Sequence, residues 1–272
     1  MRIAKFIGIV CLGATLVSSA FSPVFAKEAA LAKAIAGANR TTEFVARDSA
    51  RHPQEELEFF GIKPNLSVLE ISPGGGYWTE ILAPYLKDKG RYYTTVSPRA
   101  MGERAVKAAD EWQAKLDANK DVYGKVKVAE FGRGTIDIVP AGTMDMVLTF
   151  RNVHNWMMGG MEDEAFAAFF KALKPGGILG VEEHRGRTDL PQDPKGRSGY
   201  VREDYAIGLA AKAGFKLIGK SELLANPKDT KDYPGGVWTL PPTYRLGDKD
   251  RAKYAAIGEA DNFVLKFEKP KK

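Results

Sequence analysis

One stretch of the sequence decides the fold, Val68-Leu69-Glu70-Ile71-Ser72-Pro73-Gly74-Gly75-Gly76. The run from Leu66 to Ile71 is mainly apolar and branched, which predicts a buried strand. The glycines that follow allow a sharp turn in which the backbone can lie close to a ligand. A helical run from Tyr77 to Leu86 comes next, in which Pro84 should kink or shorten the helix. The stretch therefore predicts a strand, a glycine-rich loop and a helix.

The alternation of strand and helix continues along the chain. Further strands are predicted at 91–96, 125–131, 145–150, 178–183, 215–224 and 261–268. Helical patterns lie between them, as in Ala105, Ala108, Ala109, Trp112 and Leu116, which share one helix face. Strands that alternate with helices form a mainly parallel sheet through right-handed crossovers. We therefore expect an α/β fold, a Rossmann-like sheet of seven strands with helices on both faces.

The chain divides into a leader and one domain. Residues 1–26 predict a signal peptide, because Arg2 and Lys5 precede an apolar run and Val24 and Ala26 supply the small residues of a cleavage site. An uncleaved N-terminal anchor is the alternative, although the apolar run is short for a membrane span of about 20 residues. Residues 27–272 then form a single domain. It has N-terminal helices at 27–61, a core at 62–224, a lid-like insertion at 225–260 and a last strand at 261–268.

Composition excludes several classes of protein. The 272 residues carry 40 Lys and Arg against 34 Asp and Glu, a formal net charge of +6, and 44% are hydrophobic. This balance excludes wholesale disorder and lacks the concentrated basic stripe of a nucleic-acid interface. The single cysteine, Cys11, lies in the predicted leader. We expect a periplasmic or secreted protein, cleaved after Ala26, with no stable membrane anchor, no nucleic-acid partner and a small-molecule substrate.

The residues around the glycines restrict the chemical class of ligand that the loop could bind. Glu70 closes the predicted strand, whereas the dinucleotide-binding fingerprint places its acid about 20 residues after the glycines. This position disfavours a nicotinamide-dependent oxidoreductase. No Lys-Ser or Lys-Thr follows the glycines, so the loop is not a triphosphate-binding P-loop. Glu70 either attracts a cationic or donor group of a ligand or caps the next helix.

Three motifs together resemble those of the class I S-adenosylmethionine-dependent methyltransferases. They are the glycine-rich stretch quoted above, Asp145-Met146-Val147-Leu148-Thr149-Phe150-Arg151-Asn152-Val153-His154-Asn155-Trp156, and Leu173-Lys174-Pro175-Gly176-Gly177. The resemblance covers about residues 50 to 268 and is nearest to predicted exported methyltransferases with a similar arginine-asparagine-x-histidine-asparagine loop. The pair Arg151-Asn152 also resembles a loop of quinone-biosynthesis C-methyltransferases, which implies an apolar substrate. The resemblance implies S-adenosylmethionine as the cofactor, bound by Glu70, Ser72, Gly74, Gly76, Thr95, Ser97 and Asn152.

The sequence departs from this family at two positions. Thr95 stands where the family has an acid that receives both ribose hydroxyls, and Ser72 replaces the first glycine of the loop. A neutral hydroxyl is the weaker partner, since bonds with charged groups contribute about 1.5–3 kcal/mol. The cofactor is also made in the cytoplasm, whereas the leader predicts export. The alternative function is therefore a methyltransferase-like periplasmic binding or accessory protein with weak or no catalysis.

Two of the three histidines are predicted at the carboxyl edge of the sheet. His154 follows the fourth strand and His184 the fifth, so both are candidate catalytic residues. A histidine there can remove the proton of a hydroxyl or amine acceptor, or His154 only bonds its own loop. His52 precedes the proline of a helix start and is assigned a structural role. A metal site of His154, His184 and Glu183 lacks any short ligand spacing, so no metal is expected.

The predicted lid-like insertion, residues 225–260, holds several prolines together with the aromatic residues Tyr233, Trp238 and Tyr244. Segments of this length without periodicity usually bind ligands or cover a site, and aromatic residues argue against disorder. We expect the insertion to fold over the site and bring Trp238 or Tyr244 against an apolar substrate.

Overall fold

The computed structural model describes residues 23–271. Within this range seven strands form one sheet, and helices cover both of its faces. The strands are β1 (Ser67–Ile71), β2 (Arg91–Val96), β3 (Lys127–Glu130), β4 (Met144–Phe150), β5 (Leu173–His184), β6 (Lys216–Ser221) and β7 (Asn262–Glu268). The helices are α1 (Pro23–Ile35), α2 (Thr42–Val45), α3 (Asp48–Arg51), α4 (Pro53–Phe60), α5 (Thr79–Leu86), α6 (Glu103–Asp117), α7 (Lys120–Tyr123), α8 (Val153–Gly159), α9 (Glu162–Ala172), α10 (Glu203–Lys212) and α11 (Arg251–Ile257).

The strand order is β3-β2-β1-β4-β5-β7-β6. β1 pairs in parallel with β2 on one side and with β4 on the other, so the order reverses between β1 and β4. β7 runs antiparallel to both of its neighbours, β5 and β6. The predicted α/β fold with seven strands is confirmed. In open sheets of this kind the ligand site lies at the carboxyl ends of the strands beside the reversal point.

Strand β4 separates two apolar cores because its successive side chains point to opposite faces of the sheet. Met146 and Leu148 pack with residues of α1, α4, α5 and α6, whereas Val147 packs with residues of α8, α9 and α10. Strands covered on both faces read as continuous apolar runs, which is why this pattern could be recognised in the sequence.

The N-terminal helix α1 is packed against the domain. Leu31 and Ala34 are buried in the core that also contains Leu57 and Phe60 of α4. Residues 1–22 of the predicted signal peptide lie outside the described residues, and the predicted cleavage position after Ala26 falls within the bounds of α1. Among the described helices, none has both the length and the apolar character that a membrane span requires.

The insertion at 225–260 builds a third, smaller apolar cluster. Tyr200, Val237, Leu240 and Tyr254 are buried in it. A short 3₁₀ helix, Gly236–Thr239, and α11 supply its regular structure. The insertion is therefore a packed cover, and its residues lie at the carboxyl edge of the sheet beside the loop after β4.

Candidate functional site

The loop after β1 turns sharply because its residues adopt a left-handed backbone. The φ angles of Ser72 and Gly74 are 51° and 58°. A Cβ atom placed on Gly74 would meet no atom within 4 Å, so the loop borders open space there, as close approach of a ligand requires. Gly76 is different, because a Cβ atom there would lie 3.1 Å from the Trp112 ring. Gly76 therefore packs against Trp112, and its contact with the cofactor stays a prediction.

Two cavities lie on opposite sides of this loop. The β2 cavity, of about 450 Å³, is bounded by the end of β2 and by α6, and Thr95, Ser97 and Ala108 are among its lining residues. The histidine cavity, of about 330 Å³, is bounded by the N-terminal helices, the loop after β4 and the insertion. Both cavities share one wall, formed by Ser72, Pro73, Gly74, Gly75 and Asn152. A ligand lying across the loop would occupy both.

Thr95 supports the glycine-rich loop from β2. Its hydroxyl accepts a hydrogen bond of 2.8 Å from the backbone N–H of Ser72, and the residue is 2% exposed. The hydroxyl that stands in place of the family's acid is therefore already engaged with the loop, which the sequence did not indicate. Ser97, two residues further on, is exposed and lines the β2 cavity. Ser97 is thus better placed than Thr95 to meet a ligand.

Glu70 is the penultimate residue of β1 and lines the histidine cavity, although it is only 1% exposed. The hydroxyl of Thr79 donates a bond of 2.8 Å to its carboxylate, and the hydroxyl of Tyr92 donates another. Burial raises the pKa of Glu70 to about 7, against the two hydroxyl bonds, which lower it. Glu70 thus contacts the first residue of α5 through the Thr79 side chain without capping a backbone N–H of the helix, and its ligand contact stays a prediction.

Asn152 joins the ends of β1 and β4. Its amide nitrogen donates to the carbonyl oxygens of Ile71 and Phe150 at 3.1 and 3.3 Å. The side chain is buried and belongs to the wall that both cavities share. Asn152 therefore fixes the position of the wall, which is the framework of the predicted cofactor site.

His154 is paired with a buried carboxylate. Its Nδ1 lies 3.0 Å from Oε1 of Glu183. Burial opposes ionisation of Glu183, but the neighbouring His154 and His184 outweigh it and hold the pKa of this carboxyl below its ordinary value. A carboxylate can only accept a hydrogen bond, so Nδ1 of His154 carries a hydrogen, and in the neutral ring the lone pair is on Nε2.

His184 lies beside His154, with the two ring centroids 5.7 Å apart, and both residues line the histidine cavity. Its Nδ1 lies 2.7 Å from Oδ1 of Asn262. Burial lowers the pKa of His184 to about 3, so the ring is neutral at neutral pH. A ring with this pKa would hold an abstracted proton weakly, and the catalytic roles of His154 and His184 stay predictions. Among residues 23–271, no group of three His, Cys, Asp or Glu side chains is placed to hold a metal ion.

The insertion brings Trp238 to the histidine cavity. The Trp238 ring meets the His154 ring edge-to-face, with centroids 5.7 Å apart. Tyr244, the other predicted aromatic contact, lies under the guanidinium of Arg251, 3.9 Å from its carbon, and does not line the cavity. The covering role expected of Trp238 thus matches its position, and that of Tyr244 does not.

A row of alternating charges, which the sequence did not reveal, runs beside the histidine cavity. We call it the arginine–glutamate row, and its members in order are Arg47, Glu259, Arg151, Glu182 and Arg51. Arg47 donates two bonds of 2.6 Å to Glu259, and Arg51 donates one of 2.9 Å to Glu182. Arg151 stands between them, 3.3 Å from Glu259 and 3.7 Å from Glu182. The row joins the N-terminal helices, the sheet and the insertion.

Solved structures of other proteins share this architecture. A SAM-dependent methyltransferase from Aquifex aeolicus superimposes with a TM-score of 0.52 at 15% identity, over 88% of this chain and 98% of that one. The cyclase SpnF gives a TM-score of 0.53 at 16% identity, over 89% and 92% of the two chains. The chain has the class I methyltransferase fold.

The comparisons with solved structures show the fold of this chain but do not show its activity. No family model and no curated protein matches the sequence. SpnF is named as a cyclase, so not every protein with this fold is named as a methyltransferase. The function of this chain therefore depends on the side chains at the carboxyl edge of the sheet.

Proposed function

We propose that the chain is an S-adenosylmethionine-dependent methyltransferase acting on a small molecule with an apolar body and a hydroxyl or amine nucleophile. The observation that carries the proposal is the glycine-rich loop, which borders open space at Gly74 and separates two cavities. S-adenosylmethionine has an adenosine and an amino-acid head joined at a sulfonium, so it needs room on both sides of such a loop. The adenosine end of S-adenosylmethionine is uncharged. The glycine-rich loop offers backbone atoms there and lacks the sequence motif of a phosphate-binding loop.

The residues present fit this cofactor. Ser97 lines the β2 cavity and offers a free-standing hydroxyl to a ribose, and Glu70 offers a carboxyl to the amino group of the head. Gly74 leaves a space that a Cβ atom would fill. When bound, the cofactor supplies an electrophilic methyl group, and the loop holds it beside the histidine cavity.

His154 then acts as the general base in this proposal. Its Nε2 takes the proton of the acceptor, while Glu183 holds the ring in the required tautomer and stabilises the imidazolium that forms. Positioned bases of this kind contribute about 10²–10⁴-fold to rate. Trp238 and the aromatic residues Phe44, Trp78 and Phe150 line the same cavity, where they would exclude water and contact an apolar substrate.

The second candidate function is a methyltransferase-like binding or accessory protein, which the engagement of the Thr95 hydroxyl by the loop favours. Calorimetric titration with S-adenosylmethionine and S-adenosylhomocysteine separates the two. Binding of both supports the methyltransferase, and no binding at millimolar ligand supports the accessory protein.

A matched pair of variants on α6 tests whether the ligand binds in the β2 cavity. Ala108 is exposed and lines the β2 cavity, whereas Ala114 is exposed on the same helix and lines neither cavity. Ala108→Trp should fill the cavity and abolish binding of S-adenosylhomocysteine, and Ala114→Trp should leave it unchanged. Equal effects of the two variants would count against a cofactor in the β2 cavity.

We further propose that the protein is exported and cleaved after Ala26. The charged residues Arg2 and Lys5, the apolar run and the small residues before Lys27 support this. Mass spectrometry of the protein from its native host should find Lys27 at the N-terminus. An intact Met1 in a membrane fraction would contradict the proposal.

A further inference from the structure

The two histidines of the histidine cavity lie side by side, and each is held by a different partner. Their ring centroids are 5.7 Å apart, and the ring planes differ by 30°. Nδ1 of His154 faces the carboxylate of Glu183, whereas Nδ1 of His184 lies 2.7 Å from the side-chain oxygen of Asn262. The pair therefore combines one ring held by a carboxylate with one ring held by a neutral amide.

The hydrogen bonds of Asn262 determine which nitrogen of His184 carries the hydrogen. The amide nitrogen of Asn262 lies 3.2 Å from Oε1 of Glu182, whose carboxylate also accepts a bond from Arg51. Only the amide NH₂ group can donate to that carboxylate, so the atom of Asn262 that faces His184 is its oxygen, Oδ1. Because this oxygen can only accept, Nδ1 of His184 carries a hydrogen, and in the neutral ring the lone pair is on Nε2.

The cavity therefore contains two acceptor nitrogens next to each other. In the described part of the chain, neither Nε2 of His154 nor Nε2 of His184 has a hydrogen-bond partner, and neither is a fully buried atom. Both rings line the histidine cavity, so these two nitrogens are accessible to a ligand there. Burial lowers the pKa of His184 to about 3, so this ring stays neutral and remains an acceptor. One ligand with two neighbouring donors satisfies both nitrogens.

The amino-acid head of the cofactor is too far away to supply these donors. In the proposed function this head meets Glu70, which pairs in register with Leu148 of β4, and Leu148 pairs in turn with Gly180 of β5. His184 lies four residues beyond Gly180 on β5 and two strands to the side of β1. It is therefore roughly 13 Å further along the strand direction than Glu70 and roughly 10 Å to the side.

The ribose of the cofactor has two neighbouring hydroxyls, but it belongs to the other side of the glycine-rich loop. The proposed function places the ribose at Ser97 in the β2 cavity, and neither His154 nor His184 lines that cavity. The donors that meet the two histidines therefore come from the methyl acceptor. Trp238 describes the body of this molecule, since its ring lies edge-to-face with the His154 ring and offers a flat apolar surface in the same cavity.

We propose that the methyl acceptor is a vicinal diol on an aromatic body, whose two hydroxyls donate to Nε2 of His154 and to Nε2 of His184. The inference rests on the proposed methyltransferase function. The hydroxyl at His154 is the nucleophile. Its oxygen forms a bond to the methyl carbon while the carbon–sulfur bond breaks, the electron pair of that bond goes to sulfur, and the hydroxyl proton goes to Nε2 of His154. His184 accepts from the second hydroxyl, which keeps its hydrogen, and so positions the first.

The test compares catechol, which has two neighbouring hydroxyls, with phenol, which has one, by calorimetry on the protein saturated with S-adenosylhomocysteine. Catechol should bind about tenfold more tightly, because its second hydroxyl makes a further hydrogen bond in the cavity. This comparison uses the unmodified protein and needs no variant that must fold.

Two variants of His184 separate the functions of its two nitrogens. His184→Asn keeps a donor for Asn262 near the place of Nδ1 but has no acceptor at the place of Nε2, so the preference for catechol should disappear. His184→Gln places an amide oxygen near the position of Nε2 and should retain the preference. His52→Asn, at a partly exposed histidine that does not line the cavity, is the control and should also retain it.

Each contrary outcome has a distinct meaning. Equal affinities for catechol and phenol, or a preference that persists in His184→Asn, would overturn the inference, while binding of S-adenosylhomocysteine would leave the methyltransferase standing. Loss of catechol binding on saturation with S-adenosylhomocysteine would also overturn it, because part of the cofactor would then occupy the histidines. Tighter binding of benzylamine than of catechol would replace the diol with a single ammonium donor. A preference for catechol in a protein that binds no S-adenosylhomocysteine would support the diol site and refute the methyltransferase.

Discussion

Nδ1 of His154 lies 3.0 Å from Oε1 of Glu183, and the two side chains are 5% and 0% exposed. Glu183 belongs to β5, and His154 is the second residue of α8, directly after β4. β4 and β5 pair in parallel, with Phe150 opposite Glu182, so their carboxyl ends meet at one edge. The pairing of two neighbouring strands thus places His154, the proposed base, beside the carboxylate of Glu183.

We expect Glu183→Gln and His154→Gln each to lower turnover by about 10²-fold or more, because both remove the oriented base. Since the two residues act as one unit, the double variant should be little worse than either single variant. Steady-state kinetics of the four proteins tests this, and cofactor affinity should stay nearly constant. Losses that multiply in the double variant would show that the residues act independently.

Gly74 and Gly76 should respond differently to alanine. Gly76→Ala places a Cβ atom 3.1 Å from the Trp112 ring at a φ of 95°, so it should lower the free energy of unfolding by about 1–3 kcal/mol. Gly74→Ala meets no atom but has a left-handed φ of 58°, so it should cost about 1–2 kcal/mol of stability and also weaken binding of S-adenosylhomocysteine by occupying its space. Denaturant unfolding and calorimetry on both variants separate the effects. If Gly74→Ala binds normally, the ligand does not approach this loop.

Thr95 should matter through the loop it supports. Thr95→Val keeps the shape but leaves the N–H of Ser72 without its acceptor, which should cost about 1–3 kcal/mol of stability. The same variant should weaken cofactor binding, since Ser72 lies in the wall of both cavities. Thr95→Ser retains the hydroxyl and serves as the control. Unfolding curves that coincide for the valine variant and the unmodified protein would contradict this role.

The sequence predicted the sheet well because its strands are local features. Buried parallel strands are continuous apolar runs, and glycine or proline marks their ends. The start of β5 was harder to locate. The strand was predicted at 178–183, but β5 begins at Leu173, which pairs with Met144 before the register shifts. Such pairing depends on the neighbouring strand and leaves no local pattern.

The sequence predicted only those residues of the candidate site whose positions follow from the order of the strands. Glu70 lies at the end of β1 and His154 follows β4, and because these strands are neighbours, both residues reach one edge of the sheet. Arg47 and Glu259 are 212 residues apart, and no motif joins them. The lowered pKa of His184 depends on the groups that surround its ring in the folded protein, which a sequence pattern does not express.

The titration of Glu70 gives a prediction about stability and pH. Its pKa is raised from 4.5 to about 7 in the folded protein, so between these values the folded state holds a proton that the unfolded chain has lost. The free energy of unfolding should therefore fall as the pH rises from 4.5 through 7. Because the group is fully buried, its share amounts to roughly 3 kcal/mol.

The variant Glu70→Gln isolates the contribution of Glu70 to the pH dependence of stability. The amide keeps an oxygen that can accept hydrogen bonds from Thr79 and Tyr92, but it does not ionise. Urea unfolding at pH 5 and pH 8 should show a smaller loss of stability for the variant than for the unmodified protein. Glu103→Gln, at an exposed position on α6, is the control and should follow the unmodified protein. Glu56 changes stability in the same direction in all three proteins and therefore cancels in the comparison. Parallel pH profiles for Glu70→Gln and the unmodified protein would mean that Glu70 ionises as easily when folded as when unfolded.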